Sequence, residues 1–495
     1  MRLVRSTLIL LILIAVPQAF ACSQIPSGTI FEVRLVQPVS SYNAKKGATV
    51  RGIVLESPYC NGDPILPINT PVVGTVIAVH RVGLGLVHET ASLQIEFSQI
   101  MPAGNPALPI HGEVQLVENA RETTKKGVIH GIRGTETPQG EISSRLKNLP
   151  SWNLYPDPFL MGFKLLFPIF PEPEIYLPAG TDFRVVLKDD VPLPEGYVEP
   201  EPLPTLNSDE SRMLSVTLNE LPARTLDKNS READIIDVAF VGSRELLEQS
   251  FTAARWKHSD TLSRHTVLHQ FDSFLTNSNY STAPMSRQTL NGRTPDLMLE
   301  KGLDSYEKRD HVRIWAVNSE PQEGPVWVGA AVRETGASLS VKQKGFMHHV
   351  SPDLDEEREV ILRDFDAAGC VASAGLVEKT DARHAVINAT REVLRTDGNV
   401  LVIALKPCDT SREVKDSPRF RPGSRFTRFV RKEILIVRSD LLRANVIYAA
   451  FDLAMISVKA EHRTAAERAA LRSVDLTSES SAAVQIPAVH AANRP

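Results

Sequence analysis

Alternation of apolar and polar positions, broken by Pro and Gly, governs the first part of the chain. Residues 25–39 read IPSGTIFEVRLVQPV, a Pro-Ser-Gly turn followed by a run in which Ile30, Val33, Leu35 and their neighbours can line one face. The same device returns at 66–76 (LPINTPVVGTV) and at 177–187 (LPAGTDFRVVL). Each copy joins a turn signal, a Thr and a β-branched run, which marks the start of a strand. Residues 49–55 and 91–97 supply two more candidate strands. Short strands at regular spacing predict a small closed barrel or a sandwich.

The period changes further on. Residues 235–241 (IIDVAFV) are an apolar run of strand length, and Ser243 then caps a predicted helix over 244–256 whose Leu247, Phe251 and Ala254 share a face. Residues 311–317 (HVRIWAV) and 326–333 (VWVGAAVR) predict neighbouring strands, and 399–405 (NVLVIAL) another buried one. Ser351-Pro352 opens a second predicted helix, with Leu354, Ile361, Leu362 and Phe365 as its stripe and Gly369 as its stop. Alternating strands and helices predict an α/β or α+β domain. The fold class is therefore multidomain: an N-terminal all-β, barrel-like domain and a C-terminal α/β or α+β domain.

The remaining segments set the boundaries. Met1–Arg5 is basic, Leu8–Val16 is a short apolar run, and Ala19-Phe20-Ala21 gives the small–x–small pattern of a cleaved export signal over 1–21. A spanning helix needs about 20 apolar residues, so no transmembrane span is expected in the mature chain. The barrel domain takes 22–190, with an excursion at 119–176 that carries the apolar run 159–170 (FLMGFKLLFPIF). That run reads as a loop across the barrel end, or else as a partner-binding or membrane-contact patch. Prolines and acidic residues make 191–215 an extended linker across which domain motion is the default. The second domain takes 216–440, and 441–495 is a helical and then disordered tail.

Two stretches carry resemblances. The order IPSGT…VRLVQPVSS, LPINTPVVGTV and LQIEFSQIMPAG resembles the barrel domain of TrbI-like conjugation-channel proteins over about 25–118. That resemblance implies a structural, interacting role with no catalytic residues. Over about 225–410 the strings VAFVGSRELLEQSFTAARW, GRTPDLMLEK, RDHVRIW, GPVWVGAAV and MHHVSPDLDEEREVILRDF resemble the LssY C-terminal domain family. It implies a cell-envelope module without assigned chemistry.

Composition narrows the chemistry. In 495 residues, 55 Lys+Arg face 59 Asp+Glu, a balance that gives no nucleic-acid footprint. Four cysteines are too few for a disulfide scaffold and lack CxxC spacing. In an oxidising compartment Cys22–Cys60 and Cys370–Cys408 are the most local of three pairings, while Ala21-Cys22 also fits a lipidation site at Cys22. No GxSxG, GxxxxGK[ST] or strand-linked GxGxxG occurs.

Three polar sets remain as candidate ligand-binding residues. His348-His349 with Asp353, Asp355 and Glu356 has the density of a metal or acid–base site. Its spacing matches no metal template, and the carboxylates can equally serve a helix dipole. His311 and Arg313 share one strand face with Trp315, a face able to hold an anion or simply to be solvated. Asp296, in the Gly292–Lys301 segment, would pair with His349 if the two met across the sheet. The expectation is an exported envelope protein with a non-catalytic binding or assembly role, no cofactor and no metal. Its expected partners are envelope proteins or a lipid-derived ligand. The alternative is a hydrolase acting on an envelope phosphoester through Asp296, His311, Arg313, His349 or Asp353.

Overall fold

Strands β1 (Ile30–Leu35), β2 (Thr49–Glu56), β3 (Pro71–His80), β4 (Ser92–Ile100), β5 (Leu108–Val117) and β6 (Asp182–Leu187) close into a six-stranded barrel. The antiparallel order is β4-β3-β2-β1-β6-β5, and β5 pairs back onto β4. Closure leaves no free edge within the ring. Alternate residues point inward, among them Phe31, Val33, Leu35, Val72, Val76, Phe97, Val114, Phe183 and Val185, all buried. Ile30 was expected on this face. It is 47% exposed instead, because it has the opposite parity to Phe31, Val33 and Leu35. Gly74 sits at a register shift of β3, where a Cβ would collide with the Glu96 carbonyl oxygen. Only glycine lets the strands approach there.

The structure, a computed structural model, describes residues 23–133 and 173–442, with 450, 453 and 454 beyond. Excepted are 61–62, 120 and short gaps within 262–279, 304–307, 318–324, 341–344, 382–391 and 413–422. The export signal, Cys22 with its two readings, the apolar run 159–170 and most of the tail lie outside the described residues. The Cys60 pairing falls with them.

The second sheet contains β7 (Val238–Val241), β8 (Leu297–Gly302), β9 (Arg309–Val317), β10 (Val326–Ser340), β11 (Gly345–Val350), β12 (Val371–Glu378) and β13 (Asn399–Leu405). Its order is Lys257–His258, β8, β9, β10, β7, β13, β12, with β11 on the far end of β10. Among the described strands of this sheet only β7 and β13 run parallel, so the domain is a mixed α+β unit. Helices α1 (Ser208–Asn219), α2 (Arg244–Ala253), α3 (Asp355–Ala367) and α4 (Arg425–Leu442) follow the same chain order. One sheet face packs Phe240, Leu299, Val312 and Ile314 against Phe251 of α2 and Phe365 of α3. The other packs Ala239, Trp315, Val328 and Val402 against Leu214 and Leu218 of α1.

Several local expectations resolve on hydrogen bonding. Ser243 caps α2 by accepting from the Leu246 N–H. The run 235–241 is split: Glu232–Ile235 joins a small sheet with Arg224–Asp227, and Asp237 turns the chain into β7. Helix α3 starts at Asp355 rather than Ser351, because the Ser351 N–H donates to the Arg333 carbonyl at 2.8 Å and prolongs the sheet. Past its end Gly369 has φ +70°, the left-handed stop.

The disulfide Cys370–Cys408 ties the start of β12 to the segment after β13, closing 38 residues. By the loop-entropy argument, reducing it is expected to cost about 3–4 kcal/mol. Thermal unfolding with and without reductant checks this, with Cys408→Ser as the genetic equivalent.

The linker is anchored at both ends. Tyr197 Oη donates to the Ile65 carbonyl at 2.9 Å and the Val198 N–H to Asn105 at 3.0 Å, both on the barrel. The Leu206 N–H donates to the Ala374 carbonyl of β12, and α1 begins at Ser208 with a capping box between Asn207 and Glu210. Helix α4 returns to the barrel: Leu435 joins the barrel core and Arg431 pairs with Glu174 at 2.8 Å.

Candidate functional site

Three adjacent strands carry charged residues in consecutive pairs: Glu300-Lys301 on β8, Arg309-Asp310 on β9 and Arg333-Glu334 on β10. Register aligns Glu300 with His311, Lys301 with Asp310, Arg309 with Glu334 and Asp310 with Arg333. Side chains alternate across a sheet, so each pair sends one residue to either face. Two buried ionic networks result, one inside the domain and one against the barrel.

In the inner network Arg309, 2% exposed, donates to Glu300 at 2.5 Å, to Glu334 at 2.7 Å and to the Ala283 carbonyl. Arg313 donates to Asp234 at 2.8 Å, to Ser286 and to His311 Nε2 at 3.1 Å. A guanidinium only donates, so His311 Nε2 presents its lone pair. Nδ1 of the same ring stands 3.5 Å from Glu334. Gln288 bridges Asp234 and Thr225 at 2.7 and 2.5 Å. Three carboxylates against two guanidiniums leave one surplus negative charge. Burial pushes Glu300 up to about 8 despite Arg309, and its protonation makes the network neutral.

At the barrel face, Asp364 of α3 accepts from Arg34 of β1 at 2.5 Å, from Lys301 at 2.9 Å and from the Trp256 indole at 2.8 Å. Arg34 also forks onto Asp182 of β6, both bonds at 2.7 Å. The two cations hold Asp364 and Asp182 below the usual carboxylate range, against the opposing effect of burial. Arg363 reaches Glu32 and Glu56 at 2.8 and 2.6 Å, and Arg333 joins Asp310 at 2.8 Å to Glu118 at 3.6 Å. Burial and the neighbouring Asp310 raise Glu357, against the attraction of Arg333. The space left at this junction is about 20 Å³, room for a single water.

The sequence candidates separate on this framework. His311 and Arg313 are brought together, buried inside the ionic network rather than on a solvated face. Asp296 accepts from the Ala316 N–H at 2.8 Å and from Arg293, closing the β8–β9 end of the sheet. His349 contacts Glu392 at 3.1 Å on the edge strand β11. Asp353 is exposed and accepts from the Asp355 N–H in the turn before α3. Asp296 and His349 do not meet: Asp296 bonds Ile314 of β9, which faces Gly329 of β10, whereas His349 faces Gly336, seven residues further along β10. The sequence reading missed Asp234, Glu300 and Glu334. A charge inside a strand otherwise apolar, as in LMLEKG and AAVRE, was the available signal.

The chemistry open to these groups is limited by access. The inner network can hold a proton, but none of Asp296, His311, Arg313, His349 and Asp353 lines the 350 Å³ cavity beside the small sheet. Two cations of that cavity already serve the fold: Arg224 pairs with Glu232 at 2.7 Å, and Lys379 donates to the Leu218 and Leu221 carbonyls at the end of α1. Among the described residues no three His, Cys, Asp or Glu side chains are grouped to hold a metal ion. No helix among them is long and apolar enough to cross a membrane.

Residues 218–400 match the family model described as LssY C-terminus, the stretch for which the sequence motifs suggested that resemblance. Among solved structures, the chain is similar to ComB10 of the Com type IV secretion system of Helicobacter pylori. The identity is 12% and the TM-score 0.21, over 35% of this chain and 94% of that one. A search of curated proteins finds no match.

Proposed function

We propose that this is an exported envelope protein with a non-catalytic binding or assembly role, in which the barrel and the LssY-like domain act as one rigid unit. One observation carries the reading: among the described residues, His311 and Arg313 are spent in a buried ionic network, and Asp296, His349 and Asp353 do not converge with them in a concave pocket. A catalytic site needs such groups at a cavity that substrate can enter. The basic, then apolar, then Ala-Phe-Ala N-terminus supports export.

The test sets the purified full chain against p-nitrophenyl phosphate and bis-p-nitrophenyl phosphate, with and without divalent cations. No turnover above background is expected, and Arg313→Lys is expected to lower stability only. Turnover that disappears in Arg313→Lys while the fold survives would overturn the reading in favour of the phosphoester hydrolase. Envelope placement is checked separately by cell fractionation and by mass spectrometry of the mature N-terminus.

A further inference from the structure

At one end of the barrel, helix α4 and the loop after β3 enclose an open groove of about 450 Å³ whose apolar walls include Val82, Leu84, Phe426, Val430 and Ile434. Phe426, Val430 and Ile434 recur every fourth residue, so they share a helix face. They are 71%, 36% and 38% exposed, and Leu86 and Val87 on the loop are 64% and 68% exposed. Soluble surfaces seldom gather so many large apolar side chains without a partner.

The patch is held in place. Leu435 of α4 is buried in the barrel core, and buried Arg438 donates to the Gly83 carbonyl at the base of the loop. Helix and loop therefore present one surface rather than two independent ones. Its rim is cationic: Arg81 of the loop and Arg425, Arg428, Arg431 and Lys432 of α4 stand against Glu433 and against Glu174 of the groove lining, which pairs with Arg431. The Arg81 and Arg431 guanidiniums stand 5.5 and 5.3 Å from the Tyr42 ring, at the polar lip of the groove.

We propose that this end of the protein docks on an anionic membrane surface. An apolar helix face bordered by arginine fits the boundary between headgroups and acyl chains: Phe426, Val430, Leu84 and Leu86 enter the apolar side, and the guanidiniums meet lipid phosphates. The cationic excess at the rim favours anionic lipid over a neutral surface. The proposal goes beyond the assembly role and does not depend on it.

Flotation of the full chain with vesicles of phosphatidylglycerol and phosphatidylcholine, against phosphatidylcholine alone, tests it. The protein is expected to float with the anionic vesicles and to be partly released by about 0.5 M salt. The variant Leu86→Asp/Phe426→Asp is expected to lose about tenfold or more in affinity for them. Both positions are exposed, so its thermal unfolding is expected to match the parent, separating lost docking from lost folding. Equal flotation by variant and parent, or equal binding of the parent to neutral and anionic vesicles, overturns the proposal. So does a parent that ignores vesicles but forms a dimer which the variant does not, since the patch then belongs to a second copy of the chain.

Discussion

Asp364→Ala is expected to destabilise the protein by about 3–5 kcal/mol, the usual result of removing one partner from a buried ion network. Asp364 is 1% exposed and is the acceptor shared by Arg34 of the barrel and by Lys301 and Trp256 of the second domain. Its loss leaves two cations facing Asp182 alone and strands an indole N–H. Asp364→Asn keeps the shape but not the charge, and is expected to recover only part of the loss. The pH dependence has a definite sign. The native pKa of Asp364 lies below the ordinary carboxylate value, so its contribution is full above about pH 4 and is lost as pH falls further. Denaturant unfolding at pH 7 and pH 3 checks both statements. A variant within about 1 kcal/mol of the parent at pH 7 would mean that the junction ions are hydrated and contribute as surface pairs do.

That junction also shows what the sequence could and could not reveal. The strand over 399–405, the Ser243 cap and the barrel pattern were legible because each depends on neighbours in the chain: parity, a capping hydroxyl, a turn before a β-branched run. The start of α3 was not, since the bond that captures Ser351 comes from Arg333 on β10. The candidate site divides in the same way. His311 and Arg313 could be placed on one face of β9 by strand periodicity alone. Their partners Asp234, Glu300 and Glu334 lie on three other strands, and register between strands distant in sequence leaves no local mark. Asp296 and His349 illustrate the converse. Their segments share a sheet, yet the length of β10 keeps them apart. The linker's contacts and the junction ions were hidden for the same reason: Arg34 and Asp364 are 330 residues apart in sequence.

Glu300→Gln is expected to stabilise the protein increasingly as pH rises from about 5 to about 8, and by a nearly constant amount above that. The native carboxyl is raised from the ordinary 4.5 to about 8, burial outweighing the attraction of Arg309. Between those values the unfolded chain has released this proton and the native protein still holds it, so native stability falls as pH rises. The slope is about 1.4 kcal/mol per pH unit for one such group. Below the window both states are protonated and nothing is lost. Oε2 accepts from Arg309, while buried Oε1 has no hydrogen-bond partner among the described residues, which leaves Oε1 to carry the proton. A glutamine places its carbonyl oxygen on Arg309 and its amide at the Oε1 position, reproducing the neutral acid without the option of ionising. At pH 8 the gain should reach a few kcal/mol, read as the difference between variant and parent across a series of unfolding curves, which cancels every other titrating group. A difference that is flat between pH 5 and pH 8 would show that Glu300 is already ionised in the native state. The inner network would then keep its surplus negative charge, three carboxylates against two guanidiniums.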